Sequence, residues 1–233
     1  MGVAIITGAS RGLGRALAAA LAERGWSLVI DARGAADLAR AARSLEAVTP
    51  VAAIPGDVAV AAHRRALVDA ANAMGGIDLL VNNASVLGPS PQPRLRDYPL
   101  ETITRVFEVN VLAPLGLFQL AAGALAATSG RVLNITSDAA VEGYEGWGGY
   151  GSSKAALEQL SNVLAAEHSG LRIYWVDPGD MNTQMQQDAF PGEDISDRPP
   201  PEASVPGLLQ IIEGDLPSGR YRTADLMREV ASR

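Results

Sequence analysis

The sequence predicts an α/β fold: a single domain built on a doubly wound parallel sheet with helices on both faces. Three observations lead there. Short apolar runs alternate with alanine-rich amphipathic stretches along most of the chain, and that alternation implies right-handed crossovers between parallel strands. Hydrophobic residues fill 48% of the 233 positions but aromatics only 5%, so Ala, Val, Leu and Ile build the core, as suits strands covered on both faces. Finally, the first apolar run opens directly into a glycine-rich turn and then a helix.

In chain order, 3–6 reads as a buried strand and 13–24 as a helix ending at Gly25. A strand at 27–30 and a helix at 36–47 follow, then a strand at 51–54 and a helix at 61–74 closed by Gly75 and Gly76. Residues 79–81 form a fourth strand, and 98–128 are helical in two segments bent around Pro114, which has no N–H for an interior helical bond. A strand at 131–136, a long helix at 150–168 and a strand at 171–176 complete the regular pattern. Segment 182–205 breaks it with PGEDISDRPPPE, rich in acids and prolines and without periodicity. A long irregular stretch inside a compact domain is a functional lid or a disordered insertion; a substrate lid is the expectation here. Residues 219–222 read as a last strand before a short polar tail.

Composition removes several function classes. A net charge of −7 argues against nucleic acid or an anionic membrane as partner. With no cysteine, disulfides, thiolate catalysis and cysteine-based metal sites are excluded. His63 and His168 lie far apart in predicted helices and read as ordinary surface residues, so no metal centre is expected. GVAIITG is already a strand from residue 2, with no charged-then-apolar leader before it. The longest apolar run, 109–127, is interrupted by Pro114, Gly116, Gln119 and Gly123 and reads as a buried helix rather than a membrane span. The expectation is a cytoplasmic protein acting on a small molecule.

The turn after the first strand is TGASRGLG, with Gly8, Gly12 and Gly14. Helix N-termini carry unpaired N–H groups and partial positive charge, so they attract phosphate. The glycines allow a tight turn, close backbone approach to a pyrophosphate and close helix–strand packing. Between strand and helix, this loop reads as a dinucleotide site of Rossmann type. Further on, GGYGSSK sets Tyr150 and Lys154 one helical turn apart on one face. A free tyrosine titrates near pH 10, and a neighbouring ammonium favours its phenolate.

Taken together, the motifs resemble the short-chain dehydrogenase/reductase family in its compact form, over nearly the whole chain. TGASRGLG, including Ser10, Arg11 and Leu13, matches the family's cofactor loop. Asp57-Val58 matches its adenine contact, and Asn82-Asn83-Ala84-Ser85 its NNAG motif, with Ser85 in place of glycine. Asn110 sits where the family has a helix asparagine, Ser137 ends the fifth strand, and Tyr150-x-x-x-Lys154 follows. Pro178-Gly179, with Thr183 four residues on, resembles the loop that folds over nicotinamide. The resemblance implies the strand order 3-2-1-4-5-6-7 and hydride transfer between a nicotinamide and a small carbonyl or alcohol. In it Tyr150 is the general acid, Lys154 the pKa modifier and ribose anchor, Ser137 the substrate orienter, and Asn110 the support of a proton-relay water.

Rossmann folds that bind NAD place a carboxylate at the end of the second strand to hold the ribose hydroxyls. Where the family has that acid, this chain has Ala32, followed by Arg33, with Arg11 in the glycine loop. Two guanidiniums suit a 2′-phosphate, so the resemblance points to NADP(H). Asp31, one position early, keeps NAD(H) open, since a small register shift would turn its carboxylate toward the ribose. A catalytically silent NADP(H) sensor is the rival from another class, and a nucleotide-sugar epimerase or dehydratase the enzymatic rival. The substrate pocket is expected among 85–96, 139–147 and the lid, where Tyr144 and Trp147 offer aromatic faces. The C-terminus lacks the family's Val-Asp-Gly-Gly tail, which puts the usual tetramer in doubt and makes a homodimer the expectation.

Overall fold

The computed structural model describes residues 2–231. Seven parallel strands form one sheet in the order β3-β2-β1-β4-β5-β6-β7, as the resemblance implies. They are β1 (Val3–Ile6), β2 (Ser27–Ala32), β3 (Val51–Pro55), β4 (Leu79–Asn82), β5 (Arg131–Ile135), β6 (Arg172–Asp177) and β7 (Gly219–Arg222). Side chains alternate strictly between the two faces, the period-2 rule of a strand. Ala4, Ile6, Leu28, Ile30, Leu79, Val81, Leu133 and Ile135 pack one way, under α1 (Gly12–Glu23), α2 (Ala35–Glu46) and α8 (Val205–Glu213). Val3, Ile5, Val29, Leu80, Val132 and Ile173 pack the other way, against α3 (Ala61–Ala73), α5 (Ala113–Thr128) and α6 (Gly148–Glu167). With both faces covered, a strand has no polar side to show, which is why the runs are continuously apolar.

The region around Pro114 differs from the expected bend. A short helix α4 (Leu100–Phe107) passes through a π turn (Glu108–Leu112) and continues as α5, with Pro114 in its first turn. The Ala113 N–H bonds to the Glu108 carbonyl five residues back. Pro114 has no N–H to give the Asn110 carbonyl four residues back, and the wider turn lets the helix pass without breaking. The run Leu100–Thr128 is long and apolar enough to cross a membrane by length and composition, yet its inner stripe (Leu117, Phe118, Ala121, Leu125) is core.

Two helices stand where the sequence reading had none. Inside the irregular segment, α7 (Gln184–Ala189) is capped by Thr183, whose hydroxyl accepts from the Gln186 N–H at 3.3 Å. The T-x-x-Q spacing of a capping box was its signal. After it, α8 begins with Pro206 in its first turn and buries Leu208, Leu209, Ile211 and Ile212. The tail beyond β7 is helical as well, as α9 (Thr223–Ala231), with Leu226 reaching the core.

Candidate active site

The C-terminal ends of a parallel sheet's strands are where loops of different origin converge. Here they enclose a cavity of about 750 Å³. At its floor the glycine loop is stapled to the loop after β4. The Thr7 hydroxyl accepts from the N–H groups of Asn83 and Ala84, both at 3.0 Å, and the Asn83 amide donates back to the Thr7 and Gly8 carbonyls at 2.8 and 3.1 Å. Gly8 has φ +68°, a region costly for other residues. A Cβ on Gly14 would lie 2.5 Å from the Asn83 amide and 2.6 Å from the Gly8 carbonyl, so this glycine serves packing and does not face the cavity. Gly8, Ser10, Arg11, Gly12 and Leu13 do line it. The first turn of α1 contains no acidic residue and no side-chain cap, leaving its N–H groups for an anion.

At the other end α6 delivers Tyr150 and Lys154 from one face, 8% and 2% exposed. The Lys154 ammonium lies 5.4 Å from the Tyr150 ring centroid and donates to the Ile135 carbonyl at 2.8 Å. Ser137 caps a short turn after β5 and gives its proton to Asp138 at 2.8 Å. Asn110 stands behind the cavity wall. Its oxygen accepts from Ser85 Oγ at 3.1 Å and the Val86 N–H at 2.9 Å, and its amide donates to the Val86 carbonyl at 2.9 Å and Ser153 Oγ at 3.0 Å. Ser153, fully buried, in turn donates to the Tyr150 carbonyl at 2.6 Å. Asn110 thus couples the π turn, the β4 loop and α6. Nothing in the spacing of Ser153 marks it as the link.

Burial dominates the electrostatics. It pushes the Tyr150 phenol upward, aided by the carboxylates of Asp177 and Asp138, while hydrogen bonding from Ser137 and Ser85 pulls the other way. The sequence-based expectation has the ammonium lowering the tyrosine pKa; here burial raises it instead, and Tyr150 keeps its proton at neutral pH. The same burial brings Lys154 down to about 8. Asp177, also raised by burial, accepts from the Gly179 N–H at 2.9 Å and lies within 3.8 and 3.7 Å of Arg220 and Arg222. Pro178, Gly179 and Thr183 line this end, with Met181, Met185 and Ala189 from the segment beyond. Leu87, Ala139, Tyr150, Trp147, Met185 and Ala189 form one apolar cluster. Trp147 meets the rings of Tyr150 and Phe190 at 5.8 Å, whereas Tyr144 is exposed and hydrogen-bonds Asp138 and Glu142 outside the cavity lining.

The far end gathers Arg33, Asp57, Val58, Asn83 and Ala84 on the cavity wall. Every acid there is engaged: Asp37 by Arg40, Asp57 by Arg105, and Asp31 by His63. The Asp57 carboxyl is held low against its burial by the Ala59 N–H and Arg105. Among the described residues neither Arg11 nor Arg33 closes an ion pair, although the Arg33 charge acts on Asp57, and both line the cavity where a guanidinium can take an anion. His63 corrects the sequence reading. It is no ordinary surface residue: its side chain is 8% exposed and turned inward onto Asp31 at 2.9 Å. His168, half-buried, sets its ring edge against Phe118 at 5.0 Å.

Comparison with known proteins agrees with this geometry. Residues 2–194 match the family model described as short chain dehydrogenase. The chain is 32% identical over 239 residues to the rhamnolipids biosynthesis 3-oxoacyl-[acyl-carrier-protein] reductase of Pseudomonas aeruginosa, covering 98% of this chain and 87% of that protein. Among solved structures, an alcohol dehydrogenase from the archaeon Thermococcus sibiricus, complexed with 5-hydroxy-NADP, superposes with a TM-score of 0.86 at 28% identity, covering 95% of each chain. A short chain dehydrogenase of Salmonella enterica serovar Typhi gives 0.88 at 27% identity, again over 95% of each chain. With its glycine loop, its seven-stranded sheet and its clustered Asn110, Ser137, Tyr150 and Lys154, this chain belongs to the short chain dehydrogenase family of oxidoreductases, which act on alcohol and carbonyl groups.

Proposed function

We propose that the protein is an NADP(H)-dependent reductase of small carbonyl compounds, with Tyr150 as the general acid. The observation that carries this reading is Tyr150 itself, buried, protonated and placed in the same cavity that the glycine loop closes at its other end. When bound, a nicotinamide cofactor supplies the hydride to the carbonyl carbon. The chain's own residues do the rest. Gly8, Ser10, Gly12, Leu13 and the N-terminus of α1 hold the pyrophosphate, with Asn83 and Ala84 beneath. Asp57 and Val58 bound the adenine, and Arg11 and Arg33 take the 2′-phosphate. Lys154 and Tyr150 hold the nicotinamide ribose, and Pro178, Gly179 and Thr183 cover the ring. Ser137 releases its bond to Asp138 to orient the substrate oxygen, and Tyr150 protonates that oxygen. Proton resupply runs past Lys154 to a water held near the Asn110 carbonyl, which Pro114 leaves without its helical donor.

Segment 182–205 acts as the lid, its α7 residues Met185 and Ala189 shutting the apolar reaction end against water. The pocket accepts an uncharged, apolar or aryl carbonyl, because Asp138, Asp177 and Asp180 line that end and the neighbouring guanidiniums are spent on Asp177. The protein works as a cytoplasmic homodimer. No observation favours a purely sensory role.

NADPH and NADH oxidation should be followed over a panel of ketones, aldehydes and quinones. Tyr150→Phe should lower kcat by about 10²–10⁴-fold while NADPH still binds. Undiminished turnover in that variant would exclude the mechanism.

A further inference from the structure

Asp31 stands near the end of β2, one residue before Ala32, which holds the position from which a carboxylate would reach an adenosine ribose. It lines the cavity, yet the structure leaves it no free oxygen. Oδ1 accepts from the Gly8 N–H at 2.7 Å, and Oδ2 contacts His63 Nε2 at 2.9 Å. Its main-chain carbonyl takes the next N–H of the loop, that of Ala9, at 2.9 Å. Because an ionised carboxylate only accepts, His63 Nε2 carries the proton of that contact. His63 comes from α3, behind the wall, and does not line the cavity itself. Its ring lies flat against Gly56, where any Cβ would collide with the imidazole. The site is therefore built from β2, the β3–α3 connection and α3 together, and a glycine is needed for the histidine to arrive.

We propose that His63 is a cofactor-specificity determinant, which by sequestering the Asp31 carboxylate lets this pocket select the 2′-phosphorylated dinucleotide. The proposal rests on the NADP(H) reading above and deepens it. A free Asp31 oxygen at this place would accept from a ribose hydroxyl and repel a 2′-phosphate. Tied to His63 and Gly8, its oxygens are turned onto donors that partly offset its charge, and Arg11 and Arg33 set the preference. The neighbouring acids follow the same logic, since Asp37 and Asp57 are engaged by Arg40 and Arg105.

The test is direct binding, with no substrate: dissociation constants of NADP⁺ and NAD⁺ by calorimetry for wild type, His63→Leu, His63→Gln, Asp31→Asn and the Asp31→Asn/His63→Leu double variant. His63→Leu should lower the NADP⁺-over-NAD⁺ preference by about tenfold, the scale of one close uncompensated charge near the surface. His63→Gln, which keeps a donor, should fall between. In the Asp31→Asn background, with no charge to release, His63→Leu should change the ratio little. Circular dichroism and thermal melts establish that each variant is folded, and Gly56→Ala, which evicts the imidazole by another route, should reproduce the His63→Leu shift. An NADP⁺-over-NAD⁺ preference in folded His63→Leu undiminished from wild type overturns this proposal alone, as does an equal loss in the Asp31→Asn background. A wild type that binds both dinucleotides alike overturns the NADP(H) reading and this proposal with it.

Discussion

At the scale of single residues, burying Lys154 costs stability at neutral pH. Burial takes its pKa from 10.5 in the open chain to about 8 in the fold, so the folded state binds this proton less tightly than the unfolded one. Stability is therefore reduced below pH 8, climbs as the pH rises from about 8 to 10.5, and is fully restored above that. The pH-dependent part is on the order of 3 kcal/mol. Lys154→Met removes it and leaves the Ile135 carbonyl unpaired, a cost that does not vary with pH. Urea unfolding should show the variant's stability relative to wild type greatest near pH 7 and shrinking toward pH 10, while turnover is lost. Parallel stability–pH curves for the two proteins would contradict the depressed lysine. Ser85 and Ser153 belong to the same scale. The Ser85 hydroxyl donates to the Asn110 oxygen, and Ser153 ties the Asn110 amide to the backbone of α6.

At the scale of elements, the π turn is the feature that aims Asn110. A regular helix would place its side chain about 100° away per residue of register, off the Ser85–Ser153 line. Pro114→Ala restores an N–H and lets the turn tighten to α geometry. We expect kcat to fall by about tenfold, the scale set by a misplaced polar group, with NADPH affinity unchanged and the melting temperature not lowered. A Pro114→Ala enzyme with full kcat would show that Asn110 does not depend on the turn. Much of this level was legible beforehand. The strands announced themselves as continuous apolar runs, and the Tyr150–Lys154 spacing was readable because one helix carries both. The helices α7, α8 and α9 were not read, because proline and acid density masked the capped start of α7 and the proline start of α8, and the last turn pattern was short. The signals, Thr183 three residues before Gln186 and Pro206 opening an apolar run, were present.

At the scale of the whole molecule, the sheet is covered on both faces, and among the apolar side chains left exposed Leu112, Leu120 and Val163 lie on the π turn, α5 and α6. Helices so placed suit a two-fold contact, and the homodimer proposed above would form here. Sedimentation should give a dimer for wild type and a monomer for Leu112→Glu; an unchanged mass would move the interface elsewhere. The charge balance acts at this scale too. A net −7 chain holds an anionic cofactor because its acids near the adenosine end are individually paired, leaving a locally cationic mouth.

The sequence by itself determined the family, the sheet, the phosphate-binding turn and the Asn110, Ser137, Tyr150 and Lys154 set, since each is written in local spacing or in the order of motifs. Tertiary structure alone decided what those residues are in contact with. It turned His63 inward from 32 residues away onto Asp31 and withdrew that carboxylate from the ribose. It also set the direction of the Tyr150 pKa, which depends on how much water the fold removes and which carboxylates it brings near. Charge partners and desolvation arise from three-dimensional neighbours, and no local spacing encodes them.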